Sequence, residues 1–125
     1  MKLRYIRPDG ELADETIVVV RGGSLDRASL LEDAVASFEI YGVHAVSVFA
    51  LDGVTLDELA QQSPLVRFEY LTLMTVGAVR TAGLRLVATG RRPLHYSIEF
   101  DRIEDGLDRL RSCEHRSVSN PYHVR

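Results

Sequence analysis

The last third of the chain gathers the side chains best suited to moving protons and holding anions: Arg91, Arg92, His95, His115, Arg116 and His123. Imidazole titrates near neutrality, so one histidine can take a proton while another gives one. An arginine fork matches phosphate oxygens and steadies charge that develops on them. The set suits phosphodiester chemistry with no metal and no cofactor. His95, His115 and His123 would supply acid and base, and Arg21, Arg91, Arg92, Arg116 and Tyr96 would hold phosphate or substrate.

These residues fall on three segments that pair a structural break with reactive groups. Arg21-Gly22-Gly23 ends one expected strand and opens a helix, where glycines admit a ligand to the backbone and a helix N-terminus favours anions. Strand-to-helix turns also need glycine for conformation alone. Thr89-Gly90-Arg91-Arg92-Pro93-Leu94-His95-Tyr96 sets two arginines on a turn before an imidazole and a phenol. His95 and Ser97 share one strand face and Tyr96 and Ile98 the other, so one of His95 and Tyr96 can face a given cleft. The alternative is an exposed basic hairpin with Tyr96 in the core. In the tail, His115-Arg116 and His123 flank an Asn120-Pro121 turn. They could equally be a terminal strand that covers the core edge. Cys113 has basic neighbours that could activate a thiolate, but reads better as a buried structural cysteine at a helix end.

Composition bounds these options. A chain of 125 residues, 46% of them apolar, is one domain spanning residues 1–125 with a proper core. No apolar run approaches a bilayer span, and Met1-Lys2-Leu3-Arg4-Tyr5 lacks the continuous apolar stretch of a signal peptide. A single cysteine excludes an internal disulfide and a cysteine-based zinc site within one chain. The expected compartment is the cytoplasm, with no membrane partner. The net charge of −3 argues against a general nucleic-acid coat, but charge is uneven. Residues 1–65 hold 5 basic and 11 acidic side chains, and residues 66–125 hold 10 and 7. Between Glu69 and Glu99 no carboxylate occurs, while Arg80, Arg85, Arg91, Arg92 and His95 do. Such a stretch is either a phosphate-binding field or a solvated face. The phosphate-loop, dinucleotide, nucleophile-elbow and metalloprotease motifs are absent from the sequence.

The elements that must position these groups read as α+β. Lys2–Arg7 and Thr16–Arg21 flank the turn Pro8-Asp9-Gly10 as two strands. Ile17–Val20 is a β-branched run, expected at the sheet centre and covered on both faces. Ser24 can cap a helix with the stripe Leu25, Ala28, Leu31, Val35 and Phe38, ended by Gly42. His44–Leu51 follows as a buried strand, completing a β-α-β unit. Thr55-x-x-Glu58 opens a short helix stopped by Pro64. Tyr70–Val76 reads as a strand, Ala78–Ala82 as a helical turn, and Leu84–Ala88 with His95–Phe100 as a hairpin. Asp101-x-x-Glu104 would cap a last helix with the stripe Ile103, Leu107 and Leu110. The expectation is a mixed sheet of five or six strands with two longer helices and one or two short ones.

From Val18 onward the sequence resembles an uncharacterised family of small actinobacterial proteins. The likeness is carried by Arg21-Gly22-Gly23, Ser47-Val48-Phe49-Ala50, Thr89-Gly90-x-x-Pro93-x-His95-Tyr96 and His115-Arg116…Asn120-Pro121. In that family the strand after the His-Tyr pair often carries further Asp and His residues, where this chain has Ser97-Ile98-Glu99-Phe100. The resemblance implies no settled activity. The family's small size and patchy occurrence resemble those of toxins in bacterial toxin–antitoxin pairs.

Three functions follow as expectations. The first is a toxin-like ribonuclease that cleaves RNA phosphodiesters without a metal. The second is an ADP-ribosyltransferase-like protein using NAD. It rests on a faint resemblance of Arg21, Ser47 and Glu99 to residues that hold and polarise NAD in those enzymes; their serine-threonine-serine and Glu-x-Glu motifs are missing. The third is a non-catalytic interaction module, a homodimer or an adaptor for an antitoxin-like partner. There the acidic first half would meet a basic surface.

Overall fold

Ile17–Val20, the β-branched run, is β1, and it lies in the middle of the sheet as its composition requires. The computed structural model describes residues 2–8, 10–20 and 25–124. After β1 come α1 (Arg27–Tyr41), β2 (His44–Ala50), α2 (Leu56–Ala60), a 3-10 turn (Leu65–Arg67) and β3 (Tyr70–Thr75). The chain continues through α3 (Val76–Thr81), β4 (Arg85–Ala88), β5 (His95–Phe100), α4 (Ile103–Ser112) and β6 (Arg116–Ser119). The six strands form one sheet in the order β4-β5-β2-β1-β3-β6. Every pairing is antiparallel, so the α+β single domain is as expected but the strand directions are not mixed. The expected β-α-β unit joins β1 and β2 as antiparallel neighbours. Among the described residues no helix is long and apolar enough to cross a membrane.

Alternation along the strands gives the sheet two unlike faces. On one, Val18, Val20, Val46, Val48, Tyr96, Ile98 and Phe100 meet Leu30 and Ala34 of α1, Val79 of α3 and Leu107 and Leu110 of α4. On the other, Val19, Phe49, Leu71 and Leu73 meet Leu59 and Ala60 of α2 and Leu65 of the 3-10 turn. That second cover is short and lies over the β2-β1-β3 side. The β5 side of the same face carries Ser97 and Glu99 instead of apolar residues.

Several local expectations change. Asp26 caps α1, its carboxylate accepting from Ser29 N (3.3 Å) and Ser29 Oγ (2.9 Å), which holds its pKa below the usual carboxylate value. Ser24 lies outside the described residues. The expected stripe of α1 faces inward only at its start: Leu25 is buried and Leu31 packs against the core, beside Leu30 and Ala34, while Val35 and Phe38 are 39% and 46% exposed. The helix is apolar on most sides, so more than one stripe can be drawn on it. Gly42 ends α1 in the left-handed conformation (φ 78°). Thr55 caps α2 through Glu58 N, as its motif requires.

Asp101 does not cap α4. Arg102 is the capping residue, without a side-chain bond, because the Asp101 carboxylate is drawn to Arg85 Nη2 at 2.9 Å.

Lys2–Arg7 is no strand either. It makes a single bridge, Ile6 to Thr89, and otherwise runs as a strap from α1 to the β4–β5 turn. Lys2 N donates to Ile40 O (2.7 Å), Arg7 N to Ala88 O (3.0 Å), and Gly90 N to Tyr5 O (2.8 Å). The alternation read as a strand is reversed here: Arg4 and Arg7 turn inward to partners, while Leu3, Tyr5 and Ile6 are exposed.

Candidate functional site

The β4–β5 turn and the N-terminal strap build one polar site on the thinly covered face. Arg7 fastens the turn. Its Nη1 donates to Thr89 O (2.6 Å) and Gly90 O (2.9 Å), and its Nη2 to Pro93 O (3.0 Å) and His95 O (2.7 Å). The turn can close this tightly because Gly90 adopts φ 77°, a conformation that disfavours side chains.

His95 opens β5 beside that turn. Its Nδ1 donates to Thr89 O at 2.8 Å, with Thr89 Oγ1 at 3.2 Å. This contact fixes the tautomer, so the neutral ring carries its lone pair on Nε2. The Phe49 ring meets the imidazole edge-on, centroids 5.4 Å apart. Thr89 and Ser97, both nearly fully buried, share a hydrogen bond of 2.7 Å. Ser47 of β2 stands directly opposite Ser97. Three adjacent strands thus contribute a floor of imidazole and hydroxyls.

A cavity of about 820 Å³ lies over the floor, lined by Ser47, Thr89, His95 and Ser97. Its other walls come from Arg91, the strap and α1. Lys2, Arg4 and Arg91 bring positive charge, and among the described residues that line it Asp33 is the one carboxylate. Arg91 lies over the Tyr5 ring, 5.0 Å from its centroid. Glu99 closes one end of the polar face. It is buried and ion-paired with Arg4, with Arg85 Nη2 3.7 Å away. A site of this size and wall chemistry suits a small charged ligand or one unit of a polymer.

The sheet separates His95 from His115. Along one cross-strand row, His95 is opposite Phe49, Phe49 opposite Val19, Val19 opposite Leu73, and Leu73 opposite Arg116. Four strand spacings put Arg116 about 19 Å from His95, with apolar residues between. His115, one residue earlier, faces the other side of the sheet and donates from Nδ1 to Cys113 O (2.7 Å). It lines smaller cavities beside α4 and β3.

His123 lies in the tail that Asn120 anchors: Asn120 Nδ2 donates to Ala60 O (3.2 Å) and Leu65 O (3.0 Å). The expected three-histidine constellation is therefore not assembled. Tyr96 points into the core, 3% exposed, with the Arg7 guanidinium 5.3 Å from its ring centroid. Arg92 donates to Ser63 O at 2.8 Å, beside the groove. Arg80 belongs elsewhere, bonded to Asp14 Oδ1 at 2.6 Å. Arg21 lies outside the described residues.

Of the NAD-binding set, Ser47 lines the groove, while the Glu99 carboxylate is engaged by Arg4 and Arg85. Cys113 is buried, which pushes its thiol pKa up and makes it a poor nucleophile. Among the described residues no group of His, Cys, Asp and Glu could hold a metal ion.

Sequence reasoning missed Thr89, Ser97, Arg4 and Arg7 as site residues. The period-two pattern placing Ser97 beside His95 was the available signal for one of them. Compared with known proteins, the chain matches no family model, no curated protein and no solved structure.

Proposed function

We propose that this protein acts on RNA in the manner of a small toxin, with the phosphodiester backbone over the groove and His95 moving the protons. The observation that carries the reading is the His95–Thr89–Ser97 network on the cavity floor. A histidine with its tautomer fixed by a carbonyl presents the other nitrogen as a general base. Lys2 and Arg91 supply the positive field an RNA phosphate requires, while the charge of Arg4 is met by Glu99. On this reading the chemistry rests on His95 and the neighbouring hydroxyls of Ser47, Thr89 and Ser97, with His115 across the sheet. The resemblance to small actinobacterial proteins supports the toxin-like setting. Induced expression tests it: wild type is expected to arrest growth and fragment cellular RNA, and His95→Ala to do neither. Harmless expression of folded wild type with intact RNA contradicts it.

A second reading, as a protein-interaction module, has its own support. The side of α1 away from the groove exposes Val35 and Phe38 beside Glu32 and Glu39, while Ile40 and Tyr41 line the groove. That mixture fits a partner helix with basic flanks better than a second copy, which would set acid against acid.

A further inference from the structure

Beyond His95 the groove continues away from the strap. A narrow cavity lined by Ser47, Phe49, Pro64, Arg92 and His95 adjoins the first through Ser47 and His95. It leads through Phe49, Pro64 and Arg92 into a chamber of about 470 Å³. The chamber walls are apolar: Phe49, Leu59, Leu65, Pro93 and Leu94. Gln62 and Arg92, both exposed, are its hydrogen-bonding side chains other than Ser63. Among the described residues no carboxylate lines the chamber or the narrow cavity.

We propose that this chamber receives one unpaired base of a single-stranded RNA, leaving the adjoining phosphodiester over Ser47 and His95 and beside Arg92. The assignment rests on the reading of His95 as an RNA-directed residue, and it names which form of RNA the groove takes. Pro64, Pro93 and Leu94, over the buried Phe49, provide an apolar contact surface for a base. The Gln62 amide offers a donor and an acceptor to a base edge. The arginine without a neighbouring carboxylate suits the phosphate that follows. An apolar peptide side chain would fill the chamber but leave Arg92 and the hydroxyl floor without counterparts. A base within a duplex would first have to be unpaired and unstacked, a cost that an unpaired base avoids.

The test uses the full chain and two non-cleavable 2′-O-methyl RNA trinucleotides, one with all bases and one abasic at the central position. Wild type is expected to bind the base-bearing trinucleotide about tenfold more tightly than the abasic one, within the range of single-base stacking. Leu94→Trp, which fills the chamber, is expected to erase that difference. Gln62→Ala at an exposed position provides a second variant, expected to narrow the difference without affecting folding. In wild type, base protons should show nuclear Overhauser contacts to the Leu59 and Leu94 methyl groups. Equal affinity for the two trinucleotides, or contacts confined to Tyr5 and Arg91, overturns the chamber assignment and leaves the His95 reading standing. If neither trinucleotide binds, both fall together.

Discussion

Removing the Arg7 guanidinium should loosen the turn that holds His95, and the cost can be worked from its four carbonyl partners. Charge-assisted hydrogen bonds contribute about 1.5–3 kcal/mol each when considered singly. Their sum overstates the loss, since contacts made by one group are not additive. Thr89 O retains the His95 Nδ1 donor and His95 O retains Thr89 N, while the Pro93 contact is exposed. Mainly Gly90 O must then find water. We therefore expect Arg7→Ala to cost about 3 kcal/mol, including the lost packing over Tyr96. For a chain of this length that lowers Tm by roughly 10 °C.

Arg7→Lys should recover less than half, because one ammonium cannot fork across four acceptors. Urea denaturation followed by circular dichroism gives the free energies, and imidazole NMR signals report whether His95 keeps its Thr89 contact. A loss under about 0.5 kcal/mol, the range of neutral surface changes, with the imidazole signals unmoved, refutes the role of Arg7.

Two further substitutions probe the frame. A Cβ on Gly106 would meet the Phe100 side chain at 2.3 Å, so Gly106→Ala should destabilise by about 1–3 kcal/mol from overpacking, although helix propensity favours alanine. A stabilised variant in chemical denaturation would show that α4 does not pack this closely on β5. Asp101 has its pKa lowered by its hydrogen bond to Arg85 and then by that residue's charge. A depressed folded pKa adds stability above the ordinary carboxylate range and loses it as pH falls through the folded value. Asp101→Asn should therefore lose less stability than wild type between pH 5 and pH 3; parallel curves of urea midpoint against pH contradict this.

The sheet was legible because its strands carry unambiguous signals. Ile17–Val20 is apolar at every position, and Thr89–Pro93 breaks the chain between two runs of strand period. The face of α1 was legible only at its start, where Leu25 and Leu31 meet the core; further along, Val35 and Phe38 continue as regular a stripe as the one Leu30 and Ala34 bury. The strap was misread for a related reason. A polar residue at every second position looks like a half-buried strand whether the polar or the apolar side turns inward. Asp101 satisfied the spacing of a capping box, but the guanidinium of Arg85 on the adjacent strand β4 took its carboxylate. The candidate site was half visible: the His95 turn could be found from its residue types. That His115 lies across the sheet depended on strand order, which local spacing does not encode. Arg4 and Arg7 reach the site over more than 80 residues of sequence separation, with no motif to announce them.

Single-turnover cleavage of a single-stranded RNA by purified His95→Ala and His115→Ala, side by side with wild type, tests the central claim most directly. Loss of a proton-transfer residue lowers rates by about 10²–10⁴-fold, and the account predicts a fall of that size for His95→Ala alone. His115→Ala should cleave at the wild-type rate. Equal losses in both variants, full activity of His95→Ala, or no cleavage by wild type would contradict it.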